Sequence, residues 1–456
     1  MIMRSGKKSK KRSSVGKKLL YLCTSLLGVI VILISCAYGA FYHYYSKMNI
    51  VTADDERMQY VSAAEISPGD DIDTDNLSEE DLKQLEEIDQ TNTAGDINFD
   101  FSDSNITNIM IVGTDYRGMG RYRSNSDAMV LISINKKTKK LFITSFMRDI
   151  LLDVPKGGNH LQAGKAKLNS AFGYGGSSLM FQTYKDNFGI EIDKYVHMDF
   201  YNFMDIIDFL GGIDMYVSAE EAGAMNYPHI REMNNLLKLS PYDGYLRKQS
   251  GTFHLNGKQT LAYTRVRYVG GGDFGRTERQ RKVIAEIIKK IKKMSAKNLN
   301  SFVERCLRYV TTNVSQTELM SLLLDAKDIM NYEQVNARIP IDNTYKGSKI
   351  QGTYVLLIDL KRNADYWYSL VYLDQDISEK LFKEIEKEKA EAAAIKTLQG
   401  DAQLAVEAAV NAAKDTKKAV EEMINPSNGT EQSEEETITA SGEEEAISSE
   451  TNSDDS

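Results

Sequence analysis

Hydrophobic and polar positions divide the chain into three regimes. From Leu19 to Phe41 there are 23 residues without a charge. At about 1.5 Å per residue this run crosses a hydrocarbon core of roughly 30 Å. It exceeds the roughly 7–15 apolar residues of a cleaved leader, and Ser35-Cys36-Ala37 is a poor cleavage site. The pattern predicts a single transmembrane helix at 19–41, acting as an uncleaved signal anchor. The basic residues 1–18 then stay cytoplasmic, and everything beyond Tyr42 lies outside.

In the second regime, residues 106–375, short apolar runs alternate with helical spacing. ITNIMIVG reads as a buried strand ending in Gly113. DAMVLISI and KKLFITSF, joined by Asn135 to Thr138, read as a hairpin. SSLMFQTYKDNFG and YNFMDIIDFLGG carry apolar residues at helical spacing and stop at glycine, with YVHMDF between them as a strand. RTERQRKVIAEIIKKIKKM is a long basic amphipathic helix, TELMSLLLDAKDI another, and VNARIPI and TYVLLIDL are late strands. The alternation predicts the α/β class: a layered α-β-α domain around a central mixed sheet.

The third regime is polar. Residues 42–105 read as a flexible stalk, since their stretch 51–100 is acidic and nearly free of aromatics. Residues 376–425 are rich in Ala, Glu and Lys and favour helix, with an interruption expected at Gly400. The tail 426–456 reads as disordered.

Charge sharpens this division. A net charge of −9 hides +8 on residues 1–18, −14 on residues 51–100 and −10 on residues 426–456, so residues 101–425 carry +6. A basic folded region inside an acidic chain suits an anionic ligand, and a basic segment beside a membrane span suits anionic lipid better than nucleic acid. Three cysteines and five scattered histidines offer no disulfide framework and no zinc spacing, so any metal is expected on oxygen ligands. Cys306, with no histidine partner in the sequence, reads as a core thiol.

Candidate chemistry concentrates in RVRYVGGGDFGRTERQR, residues 265–281. Arg265 and Arg267 project to one side if that stretch is extended. Arg276, Arg279 and Gln280 share a face of the helix that follows. Guanidinium forks at a helix start suit phosphate oxygens. Arg279 and Arg281 read instead as a solvated helix face, with Thr277-x-x-Gln280 closing a capping box, while Arg265, Arg267 and Arg276 read as ligand-binding. Weaker clusters precede it: Ser126-Asp127 opening a strand, Arg148-Asp149 ending one, and Lys167-Leu168-Asn169 before a Gly-rich loop. No P-loop or dinucleotide fingerprint is present.

These clusters, in this order, resemble the LytR–CpsA–Psr (LCP) family of membrane-anchored cell-envelope phosphotransferases. The resemblance runs through Ser126-Asp127, Arg148-Asp149, Lys167-x-Asn169, Asp199-Phe200, Leu210 to Asp214 and His254 to Gly257. It ends in Ala262 to Arg267 and Asp273-Phe274-Gly275-Arg276-x-x-Arg279-Gln280. Asn125 stands where the family usually has Arg, Ala128 replaces a common Thr, and Met147 a common Pro.

The resemblance implies transfer of an anionic glycopolymer from a polyprenyl-pyrophosphate carrier to peptidoglycan as a phosphodiester, assisted by Mg²⁺ with Mn²⁺ as a substitute. Asp127 and Asp273 match the metal-holding pair. Arg148, Lys167, Arg265, Arg267, Arg276 and Gln280 match the pyrophosphate-binding set, and Asp115 is similar to an acidic residue at the site mouth. A non-catalytic polyprenyl-phosphate sensor or scaffold, or a pyrophosphate hydrolase, are the alternatives. The expected partners are the lipid-linked donor, the peptidoglycan acceptor and the membrane, with no nucleic acid.

Overall fold

The computed structural model describes residues 45–50, 76–89, 103–115, 124–157 and 162–424, with isolated positions 39, 42, 43, 72 and 73 before them. The basic segment 1–18, the predicted span 19–41 apart from Gly39, and the tail 426–456 lie outside the described residues. Among the described residues no helix is long and apolar enough to cross a membrane.

Strands β1 (Asn49–Ile50), β2 (Ile106–Thr114), β3 (Ser126–Asn135), β4 (Lys140–Phe146), β5 (Leu151–Val154), β6 (Gly164–Lys167) and β7 (Lys194–Asp199) come first. They are followed by β8 (Ile213–Val217), β9 (Gly251–Leu255), β10 (Thr311–Thr312), β11 (Glu333–Ile339), β12 (Tyr345–Ile350) and β13 (Thr353–Ile358). The helices are α1 (Glu79–Asp89), α2 (Leu168–Phe188), α3 (Phe200–Phe209), α4 (Ala219–Ala224), α5 (Arg231–Leu236) and α6 (Gly257–Arg265). After them come α7 (Gly272–Lys292), α8 (Ala296–Cys306), α9 (Gln316–Ile329), α10 (Leu360–Tyr372) and α11 (Ser378–Ile424).

Seven strands form one sheet in the order β1-β10-β7-β2-β3-β4-β11. The β7–β2 and β4–β11 pairs are parallel, and β2–β3–β4 is an antiparallel meander. The sheet is mixed, as its sequence pattern predicts. Alternation along β2 separates its two faces. Met110 and Val112 pack with Tyr184 of α2 and Trp367 of α10, while Ile109 and Ile111 face Ile284 of α7 and Leu322 of α9. Helices therefore cover both faces, and the result is a three-layer α-β-α arrangement. The β3–β4 turn is closed by Asn135, whose Oδ1 accepts from the backbone N–H of Lys137 and of Thr138.

A second apolar cluster joins α3, α6, α7 and the β8–β9 hairpin through Ile206, Leu261, Val283, Met215 and Leu255. The ends of α3 and α7 are clasped here: Lys290 Nζ donates to the carbonyls of Gly211 (2.7 Å) and Gly212.

Three elements depart from expectation. Part of the acidic stalk is ordered: Leu85 of α1 and Ile72, seven residues before that helix, are buried against Ile350, Val355 and Leu357 of the β12–β13 hairpin. Those two apolar residues are diluted by acidic neighbours, so composition alone conceals a segment that borrows its core from the hairpin. The Gly-rich run after Asn169 is helical from Leu168 onwards, broken at Gly176 (φ 65°, ψ −152°) rather than forming a loop. Gly173 is where Asn125 presses on this helix, leaving no room for a Cβ.

The third is α11, which runs through Gly400 without a break. An exposed glycine costs a helix only about 1 kcal/mol, and its Ala-, Glu- and Lys-rich flanks carry it. The chain divides into two compact units, Met1–Ile385 and Glu386–Ser456. In the second, the described residues are one solvent-exposed stretch of α11.

Candidate functional site

The site lies where β2, β3 and β4 end and α6 and α7 meet. Register between β2 and β3 shifts at Gly113/Thr114: Gly113 pairs with Ala128 and Thr114 with Ser126, so Asp127 is the unpaired residue of a bulge. A bulge re-aims a side chain, and this one turns Asp127 toward Arg148. Ser126, buried, donates instead to the Asn169 carbonyl (3.2 Å). Arg148 is held at the end of β4 by its neighbours' backbone. The Met147 N–H donates to the Ile339 carbonyl (2.9 Å), and the Arg148 carbonyl accepts from the Asn169 N–H (3.2 Å).

Arg265 is the last residue of α6, so the stretch containing it is helical rather than extended. Val266 leaves the helix and is buried, and Arg267 returns to the side of Arg265. Gly270, Gly271 and Gly272 all take positive φ (59°, 84° and 60°), allowing the chain to turn straight into α7. Gly275 of α7 sits against the Gly270 carbonyl with no space for a Cβ. Because α7 starts at Gly272, Thr277 lies inside it and bonds to the Phe274 carbonyl (2.9 Å), so it is no capping residue.

These elements bring together an interlocked charge cluster. Arg148 contacts Asp127, Asp149 (3.4 Å) and Asp273 (3.8 Å). Arg267 reaches Asp273 (3.5 Å) and Asp127 (4.0 Å), and Arg276 reaches Asp273 (3.0 Å). Arg265 bridges Asp115 (3.4 Å) and Glu232 (3.2 Å) and lies over the Phe200 ring at 5.4 Å. Lys167 sits behind this front on Asp149 (3.6 Å).

Burial pushes the Asp127 carboxyl up, but Arg148, Arg276 and Arg267 outweigh it and hold the group below its ordinary range. Asp149 moves the other way, raised by burial and by the carboxylate of Asp273 despite Arg148 and Lys167. Burial lowers the Arg276 guanidinium to about 10, opposed by Asp273, so it is still charged at neutral pH. Among the described residues its buried Nε has no hydrogen-bond partner.

The cluster forms one end of a cavity of about 580 Å³. Asp115, Asp127, Arg148, Arg265, Arg267, Arg276 and Gln280 all line it. Its remaining wall is largely apolar, with Ile111 and Val130 from the sheet, Phe203 and Ile206 from α3, and Val283, Ile284 and Ile287 from α7. Of the site residues singled out in the sequence, Asp273 joins through its ion pairs and Lys167 through Asp149.

Arg279 is not on a solvated face. It is buried, holding the loop before α7 through the carbonyls of Val266 (2.5 Å) and Val269 (3.1 Å) and through Glu221 (3.2 Å). Arg281 is half-buried as well. Sequence reasoning overlooked Glu232 and His229, which line the cavity from the segment after α4, where no local pattern ties them to Arg265. It also gave Asp199 no role. Asp199 lines the cavity and caps α3 by accepting from the Asn202 N–H (2.8 Å), and an Asp immediately before an apolar helix is a recognisable cap signal. Cys306 is a half-buried thiol, raised to about 12 by burial.

The domain is three-layered, and its arginine–aspartate cluster opens onto a largely apolar cavity. A family model described as the LytR_cpsA_psr family matches residues 71–371, and the chain belongs to that family. Biofilm regulatory protein A of Streptococcus mutans is 36% identical over 194 residues, 40% of this chain and 43% of that protein. A polyisoprenyl-teichoic acid–peptidoglycan teichoic acid transferase TagU of Enterococcus faecalis is 30% identical over 220 residues, 48% of this chain and 64% of that one. The chain thus spans between about two fifths and two thirds of these relatives. Among solved structures, protein gbs0355 of Streptococcus agalactiae is 25% identical with a TM-score of 0.46, covering 57% of this chain and 88% of that one.

Proposed function

We propose that the protein transfers an anionic glycopolymer from a polyprenyl-pyrophosphate carrier to a sugar hydroxyl of peptidoglycan. The observation that carries this reading is one cavity with guanidinium groups at one end and an aliphatic lining at the other. Its volume lies within the usual range for small-ligand sites, and its two ends match the two halves of a prenyl pyrophosphate. Family membership and the name of the Enterococcus relative support the same chemistry.

In this reaction the acceptor oxygen attacks the phosphorus next to the sugar. The new P–O bond forms as the bond to the bridging oxygen breaks, and polyprenyl phosphate leaves. Phosphoryl transfer depends mainly on positioning and charge neutralisation. Arg148, Arg267 and Arg276 supply donors to the non-bridging oxygens, and Arg276 has a spare one in its Nε. Asp115, held by Arg265, takes the proton of the acceptor hydroxyl. Gln280 and Arg265 orient the second phosphate.

A divalent cation fits the charge balance. Arg148, Arg265, Arg267, Arg276 and Lys167 are already matched by Asp115, Asp127, Asp149, Asp273 and Glu232. An arriving pyrophosphate therefore adds negative charge that a cation must offset. Asp127 and Asp273, both touched by Arg148 and Arg267, would hold Mg²⁺, which needs one or two carboxylates beside phosphate oxygens and water. Bound there, it would neutralise phosphate charge in the transition state. The single-pass anchor at 19–41, with the folded domain outside, keeps the enzyme beside a donor that never leaves the bilayer.

The test is polymer attachment to peptidoglycan by the full-length protein. Arg265→Ala and Asp273→Ala are each expected to lower it by about 10³-fold while the protein stays folded. Full activity in both variants rejects the reading.

A further inference from the structure

The cavity has a direction. Along α7 its lining runs from Arg276 and Gln280 to Val283, Ile284 and Ile287, and along α3 from Phe200 to Phe203 and Ile206. The apolar end therefore lies toward the C-termini of both helices. At those C-termini the surface is strongly basic: residues 286–308 contain Lys289, Lys290, Lys292, Lys293, Lys297, Arg305 and Arg308 against Glu286 and Glu304.

Part of this charge has internal work. Lys290 clasps Gly211 and Gly212, Lys289 meets Glu286 (3.0 Å) and Arg308 meets Glu304 (3.6 Å). Lysines in a last helical turn also complement the helix dipole. Lys292, Lys293 and Lys297 are exposed, and none of them has an ion-pair partner among the described residues. Beside them Phe209 is 39% exposed, with the Arg305 guanidinium 5.1 Å above its ring and Phe302 stacked at 6.4 Å. An exposed aromatic ring beneath a guanidinium, close to a basic helix end, suits the level of lipid headgroups.

The same surface is tied to the start of the folded chain. Glu304 of α8 pairs with Lys47 and lies 3.7 Å from His43 Nε2. His43 is two residues beyond Phe41, a separation of at most about 7 Å. We infer that the basic surface formed by the end of α7 and by α8 docks on the anionic face of the bilayer, pointing the apolar end of the cavity at the membrane. This rests on the reading of 19–41 as a span. Anionic headgroups are the complement of the three exposed lysines, and the Glu304 contacts hold α8 where the chain leaves the apolar run.

The experiment is amide hydrogen exchange of the full-length protein in lipid nanodiscs, of phosphatidylcholine alone or with roughly one third phosphatidylglycerol. Exchange across 289–308 is expected to slow by about tenfold in the anionic discs. High salt, or Lys292→Glu/Lys293→Glu/Lys297→Glu, should reverse this. Equal exchange in the two discs overturns the inference. So does protection that appears in neutral discs only when soluble polyglycerol phosphate is added, since the patch would then bind the polymer. Release of the protein from discs by alkaline carbonate overturns the span reading itself, and the docking with it, a result distinct from an inserted protein with no lipid-dependent protection.

Discussion

Arg148, Arg265 and Arg267 are each shared between carboxylates and Arg276 is paired with Asp273, so the cluster is close to electroneutral before any ligand arrives. Removing one negative charge without changing shape unbalances it. Asp127→Asn is therefore expected to lower turnover by roughly 10²–10³-fold, since a transition-state charge partner is lost. In chelator, the same variant should bind a prenyl pyrophosphate more tightly than the wild type, because Arg148 and Arg267 lose a competitor. Calorimetric titration alongside a transfer assay reads both, and weaker binding together with normal turnover would contradict the charge-sharing argument. At this scale the sequence was informative about residue type and order. Asp127, Arg148, Arg267 and Arg276 are singled out by order and chemistry, and they meet through strand ends and one bulge. What it could not show is that Arg279, three residues after Arg276, turns inward to backbone carbonyls. Both readings of an arginine on a basic helix look alike until the loop it holds is folded.

Among the elements, two small contacts carry weight out of proportion to their size. The turn into α7 depends on Gly275 lying against the Gly270 carbonyl, so Gly275→Ala must push Arg276 and Asp273 away from Arg148. Transfer activity is expected to fall at least tenfold while the domain still melts cooperatively; unchanged activity would show that the close approach is dispensable. The acidic segment before the domain offers a second test. Leu85 is 8% exposed in the cluster with Ile350 and Val355, and Leu85→Ala should cost about 2 kcal/mol, read as a lower denaturant midpoint. No change would mean that α1 is detached in solution. The longer strands of the central sheet and helices α2, α3, α7 and α9 follow from periodicity, whereas α10, which brings Trp367 into the core, does not stand out in the sequence. The hairpins β5–β6 and β8–β9 and helix α1 did not stand out, since their few apolar residues acquire meaning only from partners far along the chain.

For the molecule as a whole, two neutral histidines link stability to acidity. Burial pushes His197 down to about 4, where its Nε2 lies 2.9 Å from Thr114 Oγ1. His229 falls to about 4 through burial and the nearby charge of Arg265. Below about pH 6.5 the unfolded chain takes up protons that the folded one refuses, so stability is full above that value and declines toward pH 4, by up to roughly 3 kcal/mol per ring. Melting near pH 7.5 and near pH 5 should show this loss, and His197→Gln should reduce it; an equal loss in the variant would exclude His197 as a source. A last consequence follows from Lys290. One ammonium ties the final turn of α7 to the glycine pair after α3, so the two helical walls behave like a book bound along a single spine. Widening of the cavity is therefore expected at the open edge near Arg265, while the edge held by Lys290 keeps a fixed bore.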